Sequence, residues 1–369
     1  MGVEAILPLV YYLFASLITI VGLKQRRAIR IILLVPIWFL SLLSLISSHR
    51  LSWLIGADST LASLLVFYML YSTELLAFDR LAVNPEAGSH EWSFVDCYRV
   101  WNNPRKLPLR LSTSKKAPER TLTSHARFSV FRSMKAVALW TFEHFCFQKL
   151  FVRALGRVVI ADFSPDMELL VFPLSFHQFQ VRVIMSIQWI WRAYFFLEFY
   201  HSLLAIVFVG ILRFDDPGEW PDLFGSVVEA YSVRGFWARF WHQLTIPTYV
   251  FYSRAVCHRL MGIRSGSVLE KVTVPVIIFT ISGLSHSLVG WALGDVALSR
   301  DILFFELSFL ATTVETAIWK TPLTSTLILR LPKTLKLVVG MTWVVVFFTC
   351  VSPLWIYPKV YHTLLNPAE

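Results

Sequence analysis

Eight runs of 17 or more residues, at 4–23, 31–47, 59–78, 136–152, 183–212, 272–293, 302–319 and 335–357, are apolar and carry few charges. Roughly 20 residues of α-helix cross the hydrocarbon core of a bilayer. Inside that core a backbone amide finds no water, so an isolated run of this kind must satisfy its hydrogen bonds within its own helix. The chain is therefore expected to be all-α, a polytopic transmembrane helical bundle of about eight crossings. Composition agrees: 56% of the 369 residues are hydrophobic and 16% charged, against about 45–50% and about 25% in soluble domains. An ordinary soluble enzyme, a disordered chain and a collagenous or disulfide-stapled one are excluded. Residues 4–23 have no basic stretch ahead of them and are followed by Lys24, Arg26 and Arg27, which reads as a retained anchor rather than a cleaved leader.

A net charge of +10 would point to nucleic acid in a soluble domain. In a membrane chain, basic residues gather in cytosolic loops instead, and no nucleic-acid partner is expected. The stretch 243–260 decides the topology. If it does not cross, loops 24–30, 79–135, 213–271 and 320–336 share one side and hold 26 Lys and Arg, against 6 opposite. A crossing there would weaken that asymmetry. The expectation is thus eight crossings, both termini on the non-cytosolic side, and a re-entrant or interfacial helix over 243–260, where Arg254 and His258 share one helical face. The segment 79–135, with Asn102-Asn103-Pro104 and Lys115-Lys116, reads as a basic cytosolic loop with short surface helices. The stretch 213–242 is acidic at first and then turns aromatic and basic. The whole of 1–369 reads as a single membrane domain, with 213–294 as its motif-bearing catalytic region. Cys97, Cys146, Cys257 and Cys350 show neither metal nor disulfide spacing, so no metal site and no tightly bound cofactor are expected.

An ionisable group inside a span is costly and marks a candidate site by default. His286 lies in the run Phe279-Thr280-Ile281-Ser282-Gly283-Leu284-Ser285-His286-Ser287, roughly 21 Å from residue 272 at about 1.5 Å per residue. Its small neighbours Ser282, Gly283 and Ser285 let a second helix or a ligand come close. A structural histidine bonded to another helix is the alternative. The second candidate is Phe236-Trp237-Ala238-Arg239-Phe240-Trp241-His242. Trp237 and Trp241 would form one aromatic face, with Arg239 pointing elsewhere, towards phosphate or water; the alternative is an interfacial aromatic belt. On 183–212, Tyr194, Glu198 and His201 share a face, and a structural pairing of Glu198 with His201 or Arg192 is expected. Glu74, Glu306 and Glu315 sit nearer span ends and read as interfacial. The sequence contains no GxGxxG, Walker, HExxH, GxSxG or paired Asp-rich motif.

The ordered pair Phe236-Trp237-x-x-x-Trp241-His242 and Ser282-Gly283-Leu284-x-His286 resembles the membrane-bound O-acyltransferases, and within them the wax-synthase-like branch. Trp220-Pro221-Asp222-Leu223-Phe224-Gly225 fits as well, since a Pro–Phe–Gly segment commonly precedes the Phe-Trp element there. The resemblance covers roughly 217–294. It implies an acyl-CoA-dependent O-acyltransferase of the fungal secondary-metabolite type. Such an enzyme would transfer acetyl from acetyl-CoA to a hydroxyl of a lipophilic acceptor such as a terpenoid, in the endoplasmic reticulum membrane. His286 matches the family's catalytic histidine and His242 its second polar position. Trp237, Arg239, Trp241 and Ser282 would contact substrate. Arg234-Gly235 before the first motif, Phe240 inside it and Ser287 after the histidine depart from the common pattern.

That chemistry is physically reasonable. An alcohol is a poor nucleophile at neutral pH, so a base poised near the working pH should take its proton during attack on the thioester. His286 would be that base and His242 an orienting or oxyanion-stabilising partner. Arg234, Arg239, Arg264 and Lys271 would meet coenzyme A phosphates from the cytosol. Two other classes remain open: a membrane terpene cyclase using Glu198 or Glu315 as acid, and a non-enzymatic lipid transporter or scaffold.

Overall fold

The computed structural model describes residues 3–54, 56–78, 93–108, 122–169, 173–321 and 332–366. Among these, regular structure is helical throughout: α1 (Leu7–Gly22), α2 (Arg27–Ile46), α3 (Ala57–Thr73), α4 (Phe94–Trp101), α5 (Leu122–Thr141), α6 (Gln148–Leu155), α7 (Phe176–Ala205), α8 (Val233–Gly235), α9 (Ile246–Ala255), α10 (Val268–Ala292), α11 (Ser299–Lys320) and α12 (Lys333–Leu365). Seven described segments are long and apolar enough to cross a bilayer: Glu4–Gly22, Arg27–Ile46, Ala57–Phe78, Phe176–Ile211, Val268–Ala292, Ser299–Lys320 and Lys333–Leu365. They coincide with seven of the eight expected runs. The run 136–152 differs. It lies inside a helical stretch over 122–155 that is charged at Arg132, Lys135, Glu143, Lys149 and Arg153. Glu143 turns inward there and accepts from Trp191 Nε1 and Gln148 Nε2, both at 2.5 Å.

The stretch 243–260 forms α9 and a following π-helical turn, 10 and 5 residues long. At about 1.5 Å per residue that is about 22 Å, short of a hydrocarbon core about 30 Å thick. Polarity along the spans is inverted relative to a soluble helix. On α2, Ile32, Val35 and Phe39 are exposed while Ser41 and Ser44 are buried, and Ser44 Oγ donates to Pro8 O of α1 at 2.6 Å. Small hydroxyl residues of this kind let helices approach and bond, leaving the bulky apolar face to lipid.

Two of the apolar centres among the described residues flank the site. One packs α1, α2, α3 and α9 around Phe67, Tyr68, Tyr71 and Tyr249. The other is strongly aromatic and joins 223–241 to α7, α11 and α12 through Phe236, Phe304, Phe347 and Phe348. Helix α10 lies between them, against α3, α9 and α11.

The basic segment 79–135 is tied down wherever it is described. Tyr98 Oη donates to Asp215 Oδ2 at 2.9 Å, Arg99 Nε donates to Phe214 O at 3.0 Å, and Arg105 Nη1 donates to the carbonyls of Pro221 and Asp222 at 3.2 and 3.1 Å. The acidic start of 213–242 is therefore met by α4 and the residues after it. From residue 122 onward the expected loop is already α5; Lys115 and Lys116 lie outside the described residues. Glu74, expected at an interface, is buried and paired with Lys106.

Candidate active site

The site is assembled from a loop, a π-helical turn and α10. Glu198 on α7 seats the loop. Its Oε1 accepts the amides of Leu223 (2.7 Å) and Phe224 (3.1 Å), and its Oε2 accepts from Lys135 Nζ at 2.8 Å. The partner is thus Lys135 rather than the expected His201 or Arg192. His201 lies against the Trp220 ring at 5.0 Å and Arg192 over Phe196 at 5.6 Å. Tyr194 packs on Phe224 at 4.9 Å. The shared face of Tyr194, Glu198 and His201 is the seat of the Trp220–Gly225 segment.

Gly225 then joins the two motifs backbone to backbone. Its amide donates to Phe240 O at 2.8 Å, and a Cβ at 225 would fall 2.1 Å from Arg239 O. Only glycine permits that approach. The turn Phe236–Phe240 is further pinned by Glu315, which accepts the amides of Val233 (2.7 Å) and Arg234 (3.0 Å) and the indole N–H of Trp343 (2.5 Å). Glu315 is buried, not interfacial. Gly235 has a packing reason, since a Cβ there would meet Glu229 O at 2.3 Å. Phe240 is buried against Phe224 and Phe236, where a second arginine would lack water. Glu198 and Glu315 both accept from several donors and hold the backbone of the loop and the turn. A cyclase would need one of them as an acid.

On α10, Gly283 lets α11 come close: a Cβ would fall 2.7 Å from Ile302 Cα. Ser282 Oγ donates back to Ile278 O at 2.9 Å, Ser285 Oγ shares a hydrogen bond with Tyr249 Oη at 2.9 Å, and Ser287 Oγ donates to Leu298 O at 2.7 Å. The flanking hydroxyls are engaged, and His286 is left to open space. Its ring stacks on Phe305 (5.0 Å between centroids, 26°) and meets Trp355 edge-on at 6.2 Å. It is exposed despite these neighbours. No hydrogen bond engages it among the described residues.

Phe305 links that histidine to the first motif. It lies 5.6 Å from Trp237, which lies 5.5 Å from Trp241 and 6.0 Å from Phe279. His242 sits between Trp241 (5.6 Å) and Phe224 (5.7 Å). His286, Trp237, Trp241 and His242 therefore belong to one continuous aromatic cluster, the candidate chamber, whereas the hydroxyl of Ser282 is spent on its own helix. His242 Nδ1 and Trp237 Nε1 are buried and have no hydrogen-bond partner among the described residues. Burial, with the nearby His286 and Arg105, pushes the His242 imidazole down to about 4. It is neutral at ordinary pH.

Asp301 closes the chamber from behind and has no counterpart in the sequence reading. It is fully buried, and its Oδ1 accepts from Trp355 Nε1 at 2.6 Å and Lys359 Nζ at 3.0 Å.

Arg239 does not enter the chamber. It lies over the Tyr231 ring at 5.6 Å and, with Arg234, Lys320, Tyr231 and Trp319, lines a cleft of about 470 Å³ at the far end of α11. Arg264 and Lys271, expected to act with these arginines, line no part of it. From Phe305 beside His286 to Glu315 at the cleft, α11 rises about 15 Å.

Residues 220–307 match the family model described as the membrane bound O-acyl transferase family. Curated relatives agree. The chain is 28% identical over 191 residues to acetyltransferase nanB of Aspergillus nanangensis, covering 50% of this chain and 45% of that one. It is 30% identical over 189 residues to acetyltransferase aurG of Calcarisporium arbuscula, covering 48% and 45%. It is also 30% identical over 125 residues to acetyltransferase TRI7 of Fusarium sporotrichioides, covering 34% and 28%. The chain thus spans less than half the length of these relatives. No solved structure matches it. The matched segment contains the Trp220–Gly225 loop, both motifs and the α10–α11 crossing, so this part of the chain is similar to the membrane bound O-acyl transferase family.

Proposed function

We propose that the protein is an acyl-CoA-dependent O-acyltransferase that moves an acetyl group from acetyl-CoA to a hydroxyl of a lipophilic secondary metabolite, a terpenoid alcohol being the expected type. The observation that carries this reading is a basic, aromatic-walled cleft set about 15 Å along α11 from a histidine-lined chamber. Coenzyme A has a matching form: a phosphorylated nucleotide, a long flexible pantetheine arm and a thioester at its end. Arg234, Arg239 and Lys320 suit the phosphates, Tyr231 and Trp319 suit the adenine face, and the arm would run past Trp237. The curated relatives carry the name acetyltransferase, which favours a two-carbon acyl group.

In this reading the acceptor hydroxyl oxygen attacks the thioester carbonyl carbon while His286 takes the hydroxyl proton. The oxyanion of the tetrahedral intermediate is met by an N–H in the chamber, His242 and the Trp237 indole being the ring nitrogens there that the described residues leave without a partner. Collapse breaks the carbon–sulfur bond, and the departing thiolate receives the proton from the His286 imidazolium. Phe305, Trp237, Trp241 and Trp355 exclude water that would hydrolyse the thioester. A lipophilic acceptor enters from the bilayer, and the endoplasmic reticulum is the proposed membrane.

The test is label transfer. Membranes holding wild type or His286→Ala receive labelled acetyl-CoA and a lipid extract of the native source. Label in apolar products with wild type alone supports the reading. Equal label with the variant at matched expression removes His286 as base, and no label with either, also with longer acyl-CoAs, removes acyl transfer.

A further inference from the structure

The turn between α9 and α10 is built rigidly and yet presents its apolar side chains outward. Cys257 and Ile263 are buried beneath it. His258 bridges it, Nε2 lying 3.0 Å from Glu270 Oε1 and Nδ1 2.8 Å from Ile263 O. Glu270 Oε2 accepts the Gly266 amide at 2.5 Å, and Ser267 caps α10 by accepting the Glu270 amide at 3.1 Å. Gly262 and Gly266 take the positive φ values, 66° and 79°, that turn the chain. On this braced frame Leu260 is 80% exposed, Met261 55%, Val268 78% and Leu269 59%. A lone exposed leucine needs no explanation. Four large apolar side chains on one braced tip do.

Cations alternate with them. Arg259, Arg264 and Lys271 are exposed, and among the described residues their side chains have no ion-pair partner, while Arg254 reaches Glu270 only at 3.9 Å. Apolar side chains interleaved with unpaired cations match the boundary between acyl chains and anionic headgroups. The tip belongs to the same loop as residues 213–222, which bond to Arg99 and Arg105, so it lies on the side of the basic 79–135 segment, read as cytosolic, where the leaflet carries negative charge. Long basic side chains there can lay their stems along the apolar surface and raise their charges to the phosphates.

We propose that the tip formed by residues 259–272 is an anionic-phospholipid docking surface, with Leu260, Met261, Val268 and Leu269 immersed at the headgroup–acyl boundary and Arg259, Arg264 and Lys271 bound to headgroup phosphates. Because α10 begins at Val268, this contact fixes the foot of the helix that carries His286. The inference stands on the tip alone and holds whatever reaction the chamber performs.

Site-directed spin labelling of the full chain tests it. With the exposed Cys146 changed to serine, a label is placed by Leu260→Cys or Leu269→Cys, with Gly218→Cys as an exposed control. The protein is reconstituted into phosphatidylcholine vesicles with or without phosphatidylserine. The label's accessibility to oxygen and to a water-soluble nickel complex gives its depth. The expected result is that 260 and 269 are oxygen-accessible and shielded from nickel, more deeply so with phosphatidylserine. Combining R259Q, R264Q and K271Q should abolish that dependence. Immersion that is equal in both lipids and unchanged by the triple variant would overturn the anionic recognition. Nickel-accessible labels in both lipids, matching 218, would overturn the docking surface altogether.

Discussion

Gly283→Ala isolates what the α10–α11 crossing contributes. The added Cβ would stand 2.7 Å from Ile302 Cα, a backbone atom that cannot swing aside, and ordinary contact begins near 3.4 Å. The helices must separate by about 0.7 Å, a shift of the kind that overpacking forces in close-packed interiors. The geometry carries this displacement straight to the histidine. Side chains on a helix lean towards its N-terminus. In these antiparallel helices His286 and Phe305, each one turn from the crossing on opposite sides, therefore tilt back to meet over it. Their 5.0 Å stacking opens by about the same amount. Overpacking costs about 1–3 kcal/mol of stability, and a misplacement near 1 Å costs about 10²-fold in rate. The expectation is that Gly283→Ala loses ten- to a hundredfold in kcat for acetyl transfer, with a modest fall in Tm in detergent. Gly218→Ala, whose Cβ meets nothing within 4 Å, should change neither. Wild-type kcat in Gly283→Ala, with a lowered Tm reporting that the helices did move, would refute the claim that this crossing positions His286.

Two further variants separate structural from chemical roles. Glu198→Ala leaves two buried loop amides without their acceptor and Lys135 with Asp222 alone, and should cost about 3–5 kcal/mol, read as loss of Tm and yield. A fully stable Glu198→Ala that had lost turnover would instead reveal an acid in the chemistry. Arg239→Ala with Lys320→Ala should raise the KM for acetyl-CoA at least about tenfold through lost charged hydrogen bonds. Transfer from acetyl-pantetheine, which lacks the nucleotide, should be unaffected; equal loss with both donors would remove the cleft from donor binding.

The spans were legible because a bilayer imposes length and apolarity on any crossing helix; seven of the eight runs reappear, five of them within about four residues, while the helices around 183–212 and 335–357 extend further, to Phe176 and Leu365. The run 136–152 was harder to read, because its carboxylate Glu143 is satisfied by Trp191 on a different helix, which no local window contains. The pairing of the Phe236–His242 and Ser282–His286 motifs was visible as a pattern, but not the reason for it. Phe305, 63 positions from His242 in the chain, is the ring that joins them, and Gly225 and Gly235 are fixed by carbonyls at Arg239 and Glu229. Glu198 was recognised as facing something polar, and its partner, Lys135, lies 63 residues earlier. Asp301 was missed because an acidic residue in the first turn of a helix looks ordinary. Its significance comes from tertiary contacts with Trp355 and Lys359.

That carboxylate also sets an order of events during biogenesis. Asp301 enters the membrane with α11, whereas the ammonium that neutralises it, on Lys359, is made 58 residues later. Until α12 is inserted, the nascent bundle holds a carboxylate with no countercharge, and the histidine chamber lacks its Trp355 wall. The half-made protein should therefore pause at this stage, shielded at Asp301 by an insertion chaperone. A ribosome stalled between residues 320 and 355 would expose that stage to crosslinking.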